Sequence, residues 1–217
     1  MLKLCQWLLV VWISCLGGGC ERPQSVSEET KSSVAEDGFD FGASIVMAAR
    51  SQIGKTTIYD PAYVGLKYPG GDVPIERGVC TDVIVRALRQ GLGFDLQKVV
   101  HEDMKKAFSK YPKIWGLSKT DRNIDHRRVP NLRRFFERKG WSLRVSNNKE
   151  SYLYGDLVSC LVGKRPHIMI VSDKRAQDGT PLVIHNIGSG AKEENALFDY
   201  PITGHFRIKV EPVDYAQ

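Results

Sequence analysis

The spacing of apolar residues changes once along the chain, and this change limits the folds that the chain can adopt. Before Trp141, apolar side chains recur every three or four residues, which is typical of amphipathic helices. From Trp141 onward they alternate or form short apolar runs, which is typical of strands. Helices followed by a run of antiparallel strands define an α+β domain. We therefore expect N-terminal helices packed on an antiparallel sheet.

The boundaries of these elements follow from capping and turn residues. The predicted helices are roughly Ala43 to Ile53, Cys80 to about Gly91, Leu96 to Phe108 with Asp95 as N-cap, and Pro130 to Gly140. The predicted strands are Trp141 to Val145, Asp156 to Val162, His167 to Val171, Leu182 to Ile187 and His205 to Val210. Residues 54–79 are predicted to be a long ordered loop, and residues 174–181 a polar turn.

The first 40 residues are expected to lie outside the folded domain. Lys3 precedes a short apolar run, and glycines at 17–19 precede Cys20, as in a bacterial export signal. The run is shorter than the roughly 20 residues that span a membrane. We predict an export signal at 1–20, a flexible tether at 21–40 and a single domain at 41–217. Two alternatives stay open for Cys20, because the small residues before it resemble a lipid-attachment motif: lipidation, or removal with the signal.

The chain is basic. The formal net charge is +6 and the isoelectric point is about 9.0, which indicates anionic surroundings such as a cell-envelope polymer, a membrane surface or nucleic acid, and charge does not choose among them. The basic residues form no long block, and no recognition-helix pattern is present, so a nucleic-acid partner is not expected. With the export signal, these features predict a protein of the periplasm or cell envelope. Contact with the membrane is expected only through a lipid anchor at Cys20.

Cys80 is the candidate nucleophile. It stands where a glycine-marked loop turns into a helix, and the unpaired N–H groups of a helix N-terminus favour a thiolate. Asp82 stabilises the helix start, but its carboxylate raises the pKa of a nearby thiol. The alternatives are that Cys80 is a small buried hydrophobic residue, or that it forms a disulfide with Cys160.

His167 and His185 are the candidate partners of this cysteine. They are placed on two strands joined by a tight polar turn, so they can lie side by side on one face of the sheet. His167 would then act as general base and acid, with His185 orienting its ring. Zinc bound by these histidines and Cys80 is the alternative, although the close second ligand pair common in zinc sites is absent from the sequence. We predict neither a metal nor a cofactor.

Other polar and aromatic residues are predicted to line the site. The loop before Cys80 carries Tyr59 and Tyr63, which could donate a hydrogen bond to substrate. His126, Arg127 and Arg128 form a dense polar cluster that could hold a substrate carboxylate. The alternative for this cluster is an ion-paired structural loop. We count all of these residues, with Asp82, as candidate substrate-binding residues.

The order of these motifs resembles the NlpC-type branch of papain-like cysteine peptidases and amidases. The matching runs are the helix starting at Cys80, Gly155–Val158, His167–Val171 and Leu182–His185. The resemblance implies a papain-like NlpC-type fold with Cys80, His167 and His185 as catalytic residues. It also implies that Tyr68, at the matching spacing upstream, lines the oxyanion site. The branch usually has serine and a small residue after the cysteine, whereas this chain has Thr81 and Asp82.

Four further runs are similar to signatures of one uncharacterised bacterial family, domain-of-unknown-function family twelve eighty-seven. These runs are Tyr68–Asp72, Gly78–Asp82, Asn123–Leu132 and His185–Gly188. Together they cover most of the chain from about residue 45 to residue 207.

The expected function is an exported cysteine hydrolase that cleaves an amide bond in the cell envelope, with a peptidoglycan stem peptide as the favoured substrate. Acyl transfer or thioester hydrolysis on a lipid or acyl substrate is an alternative, since a thiolate and an imidazole support either acceptor. A catalytically silent envelope-binding domain is another. The sequence assigns no oligomeric state.

Overall fold

The computed structural model describes residues 40–209, which form an α+β domain as predicted. Within these residues the four α-helices are α1 (Phe41–Arg50), α2 (Cys80–Leu92), α3 (Leu96–Ala107) and α4 (Val129–Arg138). Three single turns of 3-10 helix lie at Phe108–Lys110, Asp125–Arg127 and Lys149–Ser151. The predicted export signal and almost all of the predicted tether lie outside the described residues. No helix in the described part of the chain is long and apolar enough to cross a membrane.

The helix ends follow from their capping residues. Asp40 accepts a hydrogen bond from the Ala43 N–H and caps α1, and Asp95 caps α3 through the Gln97 N–H, as predicted. Gly93 ends α2 in a left-handed conformation that glycine adopts without strain. Helix α1 ends at Arg50, earlier than the predicted Ile53, because hydrogen-bonded turns replace its last turn.

The strands form one six-stranded antiparallel sheet and one short parallel pair. The parallel pair is β1 (Ile58–Tyr59) with β2 (Arg77–Gly78). The other strands are β3 (Ser142–Leu143), β4 (Leu157–Val162), β5 (Arg165–Arg175), β6 (Pro181–Asn186), β7 (Ala191–Glu194) and β8 (Ile202–Phe206). The order across the sheet is β3-β8-β4-β5-β6-β7, so β7 is an edge strand. The predicted antiparallel sheet is confirmed.

Several strand boundaries differ from the prediction. The loop at 54–79 contains β1 and β2, each only two residues long, which is too short to show a period. Strand β5 continues to Arg175, so the predicted turn at 174–181 is shorter. Strand β7 was not predicted, because its charged residues carry no alternation of apolar side chains. The last strand begins at Ile202 and ends at Phe206, although hydrogen bonding of Arg207 to Trp141 continues beyond it.

The core is divided between the two faces of the sheet. Helix α2 packs on one face, where Ile84 and Leu88 join Ile168 and Ile170 of β5 in the larger apolar cluster. The opposite face carries a smaller cluster that includes Tyr152. Burial of each large apolar side chain stabilises the fold by about 1.5–3 kcal/mol. Because Ile168 is buried under α2, the start of that helix is fixed against the middle of the sheet.

Candidate active site

Cys80 is the first residue of α2 and is buried against β5. Its exposed fraction is 4%, and the Ile168 backbone N–H donates a hydrogen bond to its sulfur. Burial raises the pKa of the thiol to about 12, the Ile168 N–H lowers it, and the charge of Asp82 raises it further. The desolvation of the sulfur therefore outweighs the favourable field of the helix N-terminus.

Two histidines and a glutamate form a hydrogen-bonded chain on the neighbouring strands. The Nε2 atom of His167 lies 2.8 Å from Nδ1 of His185. The Nε2 atom of His185 lies 2.9 Å from Oε1 of Glu194. Burial, together with His185, lowers the pKa of His167 to about 3. Burial also lowers the pKa of His185, although Glu194 acts in the opposite direction. Both imidazoles are therefore neutral at neutral pH.

The register of the sheet explains why the two rings meet. Val171 of β5 lies opposite Val183 of β6 in an antiparallel pair. His167 is four residues before Val171 and His185 is two residues after Val183, so the two histidines share a face and are diagonal neighbours. The structure thus brings these two predicted residues together, and their roles as base and orienting partner stay predictions.

The backbone of β5 contacts the Cys80 sulfur one residue after His167. Ile168, whose N–H donates to the sulfur, directly follows His167. Cys160 lies opposite His167 in the β4–β5 pair and contributes to the raised pKa of Cys80. Across residues 40–209, no hydrogen bond joins the Cys80 sulfur to the His167 ring. Burial keeps both the thiol and the imidazole neutral, and proton transfer between them requires a direct approach of the Cys80 sulfur to the His167 ring.

Asp82 belongs to a buried ion pair with Arg127. The Nε and Nη2 atoms of Arg127 donate to the two carboxylate oxygens at 2.8 and 2.9 Å, and the side chains are 2% and 4% exposed. Asp82 also accepts from the Val79 N–H, and Thr81 donates to the Arg127 carbonyl. The bidentate arginine compensates the carboxylate that stands two residues after Cys80. The pair fixes the start of α2 to the 3-10 turn at 125–127.

The other two residues of the predicted polar cluster, His126 and Arg128, also lie against other parts of the protein. His126 is 2% exposed, and burial lowers its pKa to about 4. The guanidinium of Arg128 lies 4.1 Å from the centre of the Trp115 ring, in a cation–π contact. Contact of Asp82, His126, Arg127 or Arg128 with a substrate stays a prediction.

The three predicted tyrosines lie in different surroundings. Tyr59 lies opposite Gly78 in the β1–β2 pair, and Gly78 is two residues before Cys80. Burial raises the pKa of Tyr59, and Cys80 adds a smaller effect in the same direction. Tyr63 donates to Asp121 at 3.0 Å. The ring of Tyr68 packs edge-on against His101 of α3, with 5.2 Å between ring centres. The structure therefore pairs the backbone of Tyr59 with the residues just before Cys80 and packs Tyr68 against α3.

Two residues of the site were not predicted. Glu194 holds His185 from the edge strand, and nothing in the polar run around it indicates this contact. Asn186 is fully buried and donates from Nδ2 to the Gly78 carbonyl at 2.9 Å, which ties the end of β6 to the loop before Cys80. The family-like run at 185–188 includes Asn186, so its position was visible in the sequence but its partner was not.

Cys80 and Cys160 are both buried free thiols. Among the side chains of residues 40–209, no group of three or more His, Cys, Asp or Glu is arranged to hold a metal ion.

Fold and site together define an α+β domain with a buried cysteine at a helix start and a hydrogen-bonded chain of two histidines and a glutamate on the sheet. The chain belongs to the family described as "Domain of unknown function (DUF1287)", whose model matches residues 46–208. It is 56% identical over 168 residues to "Uncharacterized protein YijF" of Escherichia coli (strain K12), covering 77% of this chain and 82% of that protein. The family membership predicted from the sequence is confirmed.

Proposed function

We propose that this protein is an exported cysteine hydrolase of the NlpC-type, papain-like class, which cleaves an amide bond in the bacterial cell envelope. The observation that carries the proposal is the chain from His167 through His185 to Glu194, which begins one residue before Ile168, the backbone donor to the Cys80 sulfur. Such a chain leaves one nitrogen, Nδ1 of His167, without a partner in the chain and available as a base. A peptidoglycan stem peptide is the substrate that we propose.

The reaction proceeds through a thioester. His167 takes the thiol proton as the Cys80 sulfur attacks the carbonyl carbon of the amide, and the resulting imidazolium then gives that proton to the leaving amine. His167 next takes a proton from water, whose oxygen attacks the thioester carbon. The carboxylic product leaves as the sulfur recovers a proton from His167. Each proton that His167 accepts is returned, so the enzyme ends unchanged.

The resting protonation states favour transfer in step with attack. Burial raises the pKa of the thiol and lowers that of His167, so a thiolate–imidazolium pair is not populated before substrate binds. Charge on the sulfur is needed only while the bond to the carbonyl carbon forms. The negative charge then moves to the substrate oxygen, where fixed donors can stabilise it.

Tyr59 and the start of α2 supply these donors. The backbone N–H of Cys80 is at a helix N-terminus, where N–H groups lack intrahelical partners. The backbone of Tyr59 lies in the same region, because β1 pairs with the residues just before Cys80. We propose these two groups as the oxyanion site.

Exposed basic residues near the site support the proposal that the substrate is anionic. Lys164 and Arg165 lie at the turn between β4 and β5, two or three residues before His167. Arg165 lowers the pKa of Tyr59 against the larger effect of burial, so its positive charge lies within electrostatic range of that hydroxyl. A substrate carboxylate would therefore be attracted to the side of the site where the acyl group is held.

The test is hydrolysis of purified muropeptides by wild type and by Cys80→Ala and His167→Ala. We expect both variants to lose activity. The matched controls are Cys160→Ala, a second buried thiol, and His101→Ala, a histidine on α3, and both should retain it. Unchanged hydrolysis by Cys80→Ala or His167→Ala would overturn the mechanism.

A catalytically silent envelope-binding domain is the second candidate, because burial raises the pKa of Cys80 to about 12. This reading predicts that wild type binds peptidoglycan without cleaving it, and that Cys80→Ala binds equally well. Release of soluble muropeptides by wild type alone would exclude it.

A further inference from the structure

Glu194 reaches His185 from the edge strand of the sheet. In the β6–β7 pair, Glu194 lies opposite Val183, so its side chain is on the same face as His185 and diagonal to it. The carboxylate oxygen Oε1 lies 2.9 Å from Nε2 of His185. The side chain of His185 is fully buried, whereas that of Glu194 is 39% exposed. Glu194 therefore joins the buried histidine pair to the solvent-facing edge of the sheet.

The carboxylate determines where the protons of both imidazoles lie. An ionised carboxylate only accepts hydrogen bonds, so Nε2 of His185 must carry a proton. His185 is neutral, and its Nδ1 therefore holds a lone pair and accepts. Nε2 of His167, 2.8 Å away, must then donate to it. The neutral His167 ring is left with its lone pair on Nδ1.

We propose that Glu194 is a positioning residue that sets the tautomer of His167 through His185. The catalytic consequence rests on the proposed function, since only the tautomer with a free Nδ1 lone pair can take the proton of Cys80 at that atom. Without Glu194, His185 can carry its proton on Nδ1 instead and donate to His167. His167 would then hold its own proton on Nδ1 and would be unable to act as base there.

The other contact of Glu194 contributes little to the fold. Its carboxylate is 3.8 Å from Nζ of Lys192, in a pair whose side chains are each about two-fifths exposed. Ion pairs of this kind add little to stability. Variants at Glu194 should therefore fold, and a change in them reports on the histidine chain.

The test is the tautomer of His167, read from long-range ¹H–¹⁵N correlations of its ring in the full protein near neutral pH. Wild type should show a protonated Nε2 and an unprotonated Nδ1. In Glu194→Ala, the Nδ1 resonance should shift toward the protonated position. Glu194→Gln, whose carbonyl oxygen can accept the same hydrogen bond, should restore the wild-type pattern at least in part. Lys192→Ala is the matched control and should leave the pattern unchanged.

Hydrolysis separates this proposal from the proposed function. If the function is correct, Glu194→Ala should lower kcat more than it changes KM, and it should still unfold in one cooperative transition above the assay temperature. If the His167 tautomer shifts in the Glu194 variants as expected but wild type does not hydrolyse muropeptides, the role of Glu194 is supported and the proposed function is overturned. A His167 tautomer that is the same in Glu194→Ala and wild type would overturn the role of Glu194, whatever the activity.

Discussion

Two opposing local effects act on Cys80, and burial is the larger. The start of α2 and the Ile168 N–H favour a thiolate, whereas removal from water favours the neutral thiol. The pKa of about 12 shows which effect dominates in the free protein. Cysteine reactivity follows the thiolate fraction, so Cys80 should be unreactive toward small alkylating reagents at neutral pH.

The pH dependence of alkylation tests this directly. The rate of iodoacetamide addition to Cys80 should rise about tenfold per pH unit between about pH 7 and about pH 10, because the thiolate fraction rises in that proportion below the pKa. Mass spectrometry of the peptide containing Cys80 measures the rate, with the Cys160→Ala variant as background to remove the second buried thiol. A plateau near pH 7 would contradict the raised pKa.

At the scale of single residues, the sequence predicted where the candidate site residues lie in helices and strands better than it predicted which side chains they contact. The position of Cys80 at a helix start, and of His167 and His185 on adjoining strands, was predicted because helix starts and strand registers follow from local patterns. The ion pair of Asp82 with Arg127 joins residues 45 positions apart, and whether such charges meet each other or a substrate depends on tertiary packing. The contact of Glu194 with His185 was invisible for the same reason.

At the scale of elements, two glycines let α1 approach the start of β4. Gly155 has a φ of +83°, and a Cβ atom added there would lie 2.5 Å from the Cα of Gly42 in α1. This close approach gives a physical reason for glycine in the run Gly155–Val158. Helix α1 is also fixed to the sheet by Arg50, which donates to Glu193 of β7.

Substitution of Gly155 should therefore destabilise the domain. Gly155→Ala incurs about 1–2 kcal/mol for the left-handed backbone, and about 1–3 kcal/mol more for the collision with Gly42. The matched control is Gly163→Ala, where φ is +61° but a Cβ atom would meet nothing within 4 Å. Urea unfolding of the two variants measures the difference. Equal losses of free energy would mean that the close approach carries no cost.

The elements themselves were largely predictable, and the failures share a cause. Four helices carried apolar periodicity and recognisable caps, so their existence and order were predicted correctly. Strands β1, β2 and β7 lack that signal because they are short or charged, and only their pairing partners define them. A periodic pattern of apolar residues appears in the sequence only where an element buries one of its faces. These three strands bury little apolar surface, so they carry no such pattern.

For the whole molecule, the burial of histidines links stability to pH. Four of the five histidines are buried: His126, His167, His185 and His205. Burial holds the pKa of His126 near 4, below its ordinary 6.5. Below pH 6.5 the unfolded chain therefore binds more protons than the folded one at this residue. The stability that depends on neutral His126 is present above pH 6.5 and is lost as the pH falls toward 4.

Replacement of His126 should reduce this acid sensitivity. Between about pH 7 and about pH 4, wild type should lose about 3 kcal/mol more unfolding free energy than His126→Gln, from about 1.4 kcal/mol per pKa unit. Asp125, whose pKa burial raises to about 6, acts in the opposite direction but is present in both proteins. Urea unfolding across this pH range measures the two slopes, and parallel slopes would contradict the lowered pKa of His126.

The edge strand β7 also affects how concentrated protein behaves. An open sheet edge offers unpaired N–H and C=O groups to another chain, and proteins guard such edges with charged side chains. Here Lys192, Glu193 and Glu194 are consecutive on a strand of four residues. A strand added from another copy would meet these charges, two of which already hold Arg50 and His185 in place. The short strand that completes the histidine chain thus also protects the domain against fibrous aggregation at this edge.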